Sequence, residues 1–482
     1  MSEPEVTTPR AGDWSLHPDR ALPAEPGVRR LARTIYARTA GLPLLSMHGH
    51  VDAALLAADR PFDDPAHLLV TPDHYVVRML LSQGVPHDAL GVPRRDGRPV
   101  ESDPRAIWRT FCTHWSAFRG TPSRYWLEHV LVEVLGVRTR PSAASADTLY
   151  DEISARLADP AFRPLALVER FGLEVLATTD AAASALGDHA ALAARGWGGR
   201  IVPTFRPDPL LEVTRRGWAD DVALLAARAD VAVDSYAGFI AALEARRAAF
   251  VAAGAVATDH GHLAADTTPL TTPEATRIFD AALRRTVTPA EAAAFTAHML
   301  HEMARMSTED GLVMQLHTGV LRGHDRRVQA ERGPDVGYDI PVPGEFTRAL
   351  RGVLESFGHH PRLRLVVFTV DESTFSRELA PLAGVYPAML LGAPWWFLDT
   401  ADGMRRFREA VTDTAGFYNT SGFVDDTRAF LSIPARHDLA RRVDAGHLAR
   451  LVAEHRLDLD EALETAVDLA YHVPRRVYLP SS

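Results

Sequence analysis

Eight apolar runs of strand length are spread along the chain, and each ends in polar or glycine residues. They are LPLLSM (42 to 47), LEVLATTD (173 to 180), RIVPTF (200 to 205), GAVATD (254 to 259), GLVMQLHTG (311 to 319), LRLVVFTV (363 to 370), AMLLGAPWW (388 to 396) and SGFVDD (421 to 426). The runs are continuous rather than alternating, the pattern of strands buried on both faces of a parallel sheet. Helical segments fall between most of them. DSYAGFIAALEARRAAFVAAG begins at an Asp234 N-cap and stops at Gly254. TPAEAAAFTAHMLHEMARM opens on Thr288, Pro289 and Glu291, a capping box with proline at the first helical position. Eight βα units predict an α/β fold, a closed (β/α)8 TIM barrel.

The interval between the first two runs exceeds the length of one crossover helix several times over. DHYVVRMLLSQGV, DPRAIWRTFCTHWSAF and PSRYWLEHVLVEVLGV carry helical apolar spacing and no buried strand. This predicts a helical insertion after strand one, at about residues 58–165, placed over the C-terminal face where barrel active sites lie. Nothing in the pattern asks for a second domain, so the expectation is one barrel domain over 1–482.

Composition narrows the chemistry. All 52 of the Lys and Arg residues are arginine. A Schiff-base enzyme, a pyridoxal-phosphate enzyme and a Walker-type phosphate loop each need a lysine amine, so all three are excluded. The single cysteine, Cys112, permits no intrachain disulfide or thiolate cluster, and its setting WRTFCTHW is that of a helical core position. A net charge of −10 offers no basic face for nucleic acid. The N-terminus lacks the three-part pattern of a signal peptide and no apolar run approaches the length of a membrane span, so a cytoplasmic protein without a membrane partner is expected. Assembly as a homo-oligomer is expected as well.

Candidate functional residues gather at the C-terminal ends of the predicted strands. His48 and His50 flank Gly49 at the end of strand one, and alternation along a strand puts both imidazoles on one side. Two imidazoles make half of a metal site, and a divalent ion also takes a carboxylate. Strand eight ends in Asp425-Asp426, next to strand one once a barrel closes, so one of the two is the natural third ligand. The other strand ends contribute Asp180, Arg206, Asp259, His260, His317, Arg322, Trp395, Trp396 and Arg428. Several arginines without a glycine-rich phosphate cradle favour a carboxylate-bearing substrate.

In order along the chain, HGH, DHYVVRMLLSQGV, FCTHW, TTD, RPD, TDHG, QLHTG, GPDVGYD, PWWF, DGM and DDTRAFLSIPARHDLARR resemble the uronate isomerase (glucuronate isomerase) family of the amidohydrolase superfamily. The resemblance implies a (β/α)8 barrel that interconverts an aldohexuronate with its ketohexuronate. D-glucuronate to D-fructuronate and D-galacturonate to D-tagaturonate are the reactions implied. It also implies His48, His50 and Asp426 as ligands of a divalent metal, zinc being expected, and Tyr75, beside His74, in proton transfer. Arg206, Asp259, Arg322 and Arg428 match residues that surround the substrate. Trp395 and Trp396 are placed with them. Of the two HGH tripeptides, the resemblance reaches only Asp259 and His260 in the second, leaving His262 as an incidental loop residue. The chain departs from the family at Met47 and Gly49, at the longer segment before Arg436 and His437, and at Glu128, where a histidine is expected.

Aldose to ketose conversion removes a proton at C2 and returns one at C1 while an enediolate oxygen carries charge, which suits a metal ion and a base of adjusted pKa. Either Tyr75 or Asp426 moves the proton on this reading. A phenol needs a nearby cation to act as a base near neutral pH. Two rival readings use the same residues. One is a mononuclear metal-dependent hydrolase or deaminase with His317 as a further ligand, and the other is a sugar-acid binding protein without catalysis.

Overall fold

In a computed structural model the chain is described from residue 14 to residue 479. The first seven predicted strands form parallel ladders in chain order. Strand one (Leu44–Ser46) pairs with strand two (Leu173–Ala177), which pairs with Ile201–Val202 of strand three. Strands two and three each resume after a two-residue break, as Asp180–Ala181 and Phe205–Arg206, and these pieces pair with one another. Phe205 then meets Thr258 of strand four (Ala257–His260). Strand four pairs with strand five (Val313–Thr318), five with six (Leu365–Thr369) and six with seven (Met389–Leu391).

The eighth predicted strand differs. Thr420 makes one parallel bridge to Leu391, and residues 421–427 form no ladder. Gly422 at φ 79° and Asp426 at φ 40° turn the backbone out of the extended region, so a continuous ladder cannot form. The ring is joined there by single bonds. Asp426 donates its N–H to the His48 carbonyl at 3.1 Å, and His50 donates to the Thr427 carbonyl at 2.9 Å. The result is the (β/α)8 barrel the sequence predicts.

Alternate side chains of the strands enter two different cores. Leu45, Val175, Val202, Ala257, Val313 and Val366 pack inside the ring. Leu44, Leu173, Leu176 and Ile201 point outward to the helical insertion, and Met314, Leu316, Leu365, Val367 and Met389 to the outer helices. Burial on both faces is why these runs are continuously apolar.

Short capped helices fill the chain between strands one and two. Asp64, Asp73, Asp103 and Thr121 each accept backbone N–H bonds at the starts of Pro65–Leu69, His74–Ser82, Pro104–Thr113 and Pro122–His129, with proline in the first turn of three of them. Trp108, Phe111 and Phe118 are fully buried there, and burial pushes the Cys112 thiol up to about 12. That thiol is a core side chain, as its setting predicts. The predicted capping box at Thr288 starts helix Pro289–Asp310, which ends at Gly311 with φ 81°. The other predicted cap shifts by one residue: Ser235, not Asp234, caps Tyr236–Ala252 by accepting from the Gly238 N–H.

Candidate active site

A cleft of about 630 Å³ opens at the C-terminal ends of the strands, and His50, His74, Tyr75, Arg206, Asp426 and Arg428 line it. Strand one leaves its ladder after Ser46, so His48 and His50 sit on the irregular stretch that follows. What aligns them is the seam with the Asp426 segment. Asp426 Oδ1 lies 3.3 Å from His48 Nε2 and 3.1 Å from His50 Nε2. Gly49 permits this packing, because a Cβ there would stand 3.3 Å from Asp425 Oδ1.

Of the two aspartates, geometry selects Asp426. Asp425 instead faces His437 Nε2 at 3.1 Å, deeper in the protein. Burial opposes ionisation of Asp426, but His48 and His50 overcome it and hold the carboxyl well below its usual range. Two imidazole nitrogens and one carboxylate oxygen form a donor set for a borderline divalent ion. Their 3.1 and 3.3 Å separations match the spacing of about 3.3 Å between neighbouring ligands of a tetrahedral ion with 2.0–2.1 Å bonds. The residues present fit such an ion.

Next to this group, Asp259 joins the contributions of strands three and five. Arg206 Nη1 lies 3.0 Å from Asp259 Oδ2, and His317 Nδ1 lies 2.8 Å from Asp259 Oδ1. Burial works against the Asp259 charge, yet Arg206, His48 and His317 keep it ionised. His317 stacks on His48, at 4.2 Å, and on Phe368, at 4.1 Å, with Trp395 against its edge. Burial and the neighbouring His48 lower the His317 imidazole to about 4, so it is neutral.

Tyr75 comes from the helical insertion, on the first turn of His74–Ser82. Its ring packs against Trp126 and beneath the Arg436 guanidinium, 5.3 Å away. The cation lowers the phenol's pKa, but burial is the larger effect and pushes it well above the usual tyrosine value. A phenolate base at neutral pH is therefore not what this environment produces. His74 lies against Tyr75 and Trp396, and burial lowers it to about 3.

The remaining arginines arrive already paired. Arg428 Nη2 bonds Asp335 Oδ2 at 2.8 Å, and Arg322 Nη1 bonds Asp335 Oδ1 at 3.1 Å. Arg322 also lies over Trp396, 5.0 Å from its centre. Asp335 is a site residue that reading the sequence missed, although GPDVGYD contains it; nothing local marks an aspartate whose partners lie elsewhere in the chain. Arg436, which the last motif contains, does not line the cleft but lies behind Tyr75: it bonds Asp399 Oδ2 at 2.5 Å and lies 3.6 Å over Trp126. Asp180, His437 and Glu128 do not line the cleft. Asp180 turns to Thr178 and His189, His437 holds Asp425, and Glu128 pairs with Arg124 at 2.7 Å. His262, expected to be incidental, is buried and faces Asp208 Oδ1 at 3.3 Å. A two-residue step past strand four brings it back against strand three, which no local pattern reveals.

The family model described as glucuronate isomerase matches residues 28–478. The chain is 53% identical over 469 residues to the uronate isomerase of Xanthomonas axonopodis pv. citri (strain 306), covering 97% of this chain and 99% of that protein. The chain belongs to the glucuronate isomerase family. A uronate isomerase of Rhizorhabdus wittichii is likewise 53% identical over 468 residues, 97% of this chain and 99% of that one. Among solved structures, the glucuronate isomerase of Caulobacter crescentus matches with a TM-score of 0.95 at 48% identity, over 97% of this chain and 98% of that chain. The uronate isomerase of Thermotoga maritima matches with a TM-score of 0.90 at 26% identity, over 97% and 100%. As a glucuronate isomerase family member the chain is an isomerase, and its His48, His50 and Asp426 group supports a divalent metal ion.

Proposed function

We propose that the protein interconverts an aldohexuronate and its ketohexuronate, with D-glucuronate to D-fructuronate and D-galacturonate to D-tagaturonate as the two reactions to test. One observation carries the reading: a single cleft brings the His48, His50 and Asp426 donor set together with Arg206, Arg428 and a protonated Tyr75. The guanidiniums of Arg428 and Arg206 hold the sugar carboxylate, with Arg322 at the rim and Trp395 and Trp396 forming the wall. His48, His50 and Asp426 would hold a divalent ion, zinc being the ion an N, N, O set favours, and when bound it would supply positive charge where oxygen charge develops.

The chain's own groups then divide the proton work. Asp426 is the carboxylate of the donor set that faces the cleft, and on this reading it takes the C2 proton and returns it at C1. Tyr75 stays protonated, so it donates its O–H to the C1 oxygen as that oxygen gains charge and recovers a proton from the C2 hydroxyl. Asp259 stays ionised beside Arg206 and fixes the guanidinium toward the cleft. His74 is neutral against Tyr75 and adds no competing charge.

The hydrolase reading draws on His48, Asp259 and His317, which also come within ligand distance of one another. Against it, Asp259 is engaged by Arg206 at 3.0 Å, and the arginines suit an acid rather than a neutral amide or nucleobase. A homo-oligomer and a cytoplasmic setting belong to the same proposal; the lone buried cysteine accords with the second. The deciding experiment incubates purified protein with glucuronate and galacturonate, with and without chelator, and follows ketouronate formation. Conversion of either that depends on a divalent ion is expected. No conversion of either under any metal condition overturns the reading.

A further inference from the structure

Beyond Arg206 from the His48 group, a second cluster of ligating side chains is assembled from strands three and four. Asp208 opens the turn Asp208–Leu211 just after strand three, His260 is the last residue of strand four, and His262 lies two residues on. All three are more than nine-tenths buried, at 8%, 0% and 4% exposure. One ligand atom from each lies within 4.8 Å of the other two.

Each residue has one polar atom facing a neighbour and another without a hydrogen bond. Asp208 Oδ2 accepts from Arg206 Nε at 2.8 Å and from the Gly261 N–H at 2.9 Å, while Oδ1 has no hydrogen-bond partner. His260 Nε2 lies 3.0 Å from Thr258 Oγ1, while Nδ1 has none. His262 Nδ1 faces Glu212 Oε1 at 3.5 Å, while Nε2 stands 3.3 Å from Asp208 Oδ1 without a properly angled hydrogen bond. This is the pattern of metal ligands whose outer atoms are oriented by neighbours, a histidine against a carboxylate included. The 3.3 Å separation is again the spacing of neighbouring ligands on a tetrahedral ion with bonds of about 2.0–2.1 Å. Charge points the same way. Two carboxylates, Asp208 and Glu212, face the His262 ring at 3.3 and 3.5 Å.

We propose that Asp208, His260 and His262 form a second divalent-metal site, for a borderline ion such as zinc or cobalt, separate from the His48, His50 and Asp426 group. The ion at this site fixes Asp208 and, through the Asp208 to Arg206 bond, the guanidinium that faces the cleft. The proposal does not depend on the sugar acid the enzyme converts.

The test strips the full-length protein with chelator, dialyses it against Co2+ alone, and counts bound cobalt by elemental analysis. Two equivalents per chain are expected in the wild type. The double variant His48→Asn, His50→Asn should keep one, and His262→Gln should fall from two to one. A wild-type count of one that disappears in the His48, His50 variant overturns the proposal, as does a count of two that His262→Gln leaves unchanged. Anomalous diffraction at the cobalt edge, on wild-type crystals soaked in Co2+, decides the matter even where a variant fails to fold. A peak among Asp208, His260 and His262 supports the site, and none there overturns it.

Discussion

Asp426 presents its Oδ1 to His50 Nε2 at 3.1 Å from a backbone held at φ 40°, a left-handed conformation that a non-glycine residue seldom takes. The segment is bent to deliver one oxygen to an imidazole, and the Asp426 N–H is anchored on the His48 carbonyl. Strain of this kind persists where the surrounding structure over-determines it, and it concentrates at functional sites.

Asp426→Asn keeps the shape and removes the charge. The variant is expected to bind its divalent ion more weakly and to lose about 10²- to 10⁴-fold in kcat, the range of a lost proton carrier. Metal content by elemental analysis and ketouronate formation check the two effects separately. Wild-type turnover after Asp426→Asn would remove the residue from the proton path.

Tyr75→Phe removes only the hydroxyl from a ring packed against Trp126 and Arg436. Because burial keeps the phenol protonated, its loss removes a donor and not a base. The expected outcome is a kcat lower by about 10²-fold or more with KM little changed, and C2-deuterium exchange that outlasts net conversion. Equal loss of exchange and conversion would instead make Tyr75 the group that takes the C2 proton.

Arg428 and Arg322 share Asp335, at 2.8 and 3.1 Å. Arg428→Gln should weaken substrate capture by about 1.5–3 kcal/mol, the worth of a hydrogen bond to a charged group, which is a KM rise of about 10- to 150-fold. Asp335→Asn should raise KM less, since it frees both guanidiniums without removing either. Steady-state kinetics on both variants distinguish the two roles; an unchanged KM in Arg428→Gln would take that arginine out of carboxylate binding.

Acid should destabilise the fold through histidines far from the cleft. Burial, with Arg408 adding to it, lowers His447 from 6.5 to about 3, and burial, with Arg20 adding to it, lowers His129 from 6.5 to about 4. Below pH 6.5 the unfolded chain takes up protons that the folded chain refuses, so stability falls as pH falls. The loss is about 1.4 kcal/mol per pH unit for each such histidine until its folded pKa is reached. Urea unfolding at pH 8, 7, 6 and 5.5 should show a flat region above 7 and a decline below 6.5, shallower in His447→Gln. A wild type that gains stability on acidification would contradict the assignment.

The strands and the residues at their ends were legible because each is a local pattern. A continuous apolar run such as LRLVVFTV marks a strand buried on both faces, and the polar residue that stops it marks the barrel rim. His48, His50, Arg206, Asp259 and the Asp425-Asp426 pair could be named this way before any fold was known, and the ordered motifs added Tyr75 and favoured Asp426 of the two. The last strand was legible only in part. Its apolar letters are present, but Gly422 and Asp426 take positive φ and break the ladder.

The sequence by itself thus determined the barrel, the order of its strands and most of the side chains gathered at one end. Only the tertiary structure decided which of those side chains pair. Arg428 and Asp335 lie 93 residues apart, and Arg436 and Asp399 lie 37 apart. It also decided that Asp426 and not Asp425 faces the imidazoles, and that the second HGH tripeptide is buried against Asp208. The physical reason is common to all four. Periodicity and capping act over a few residues and leave their mark in the letters, whereas an ion pair or a buried polar contact is fixed by where distant backbone segments come together, and by which charge each can neutralise there.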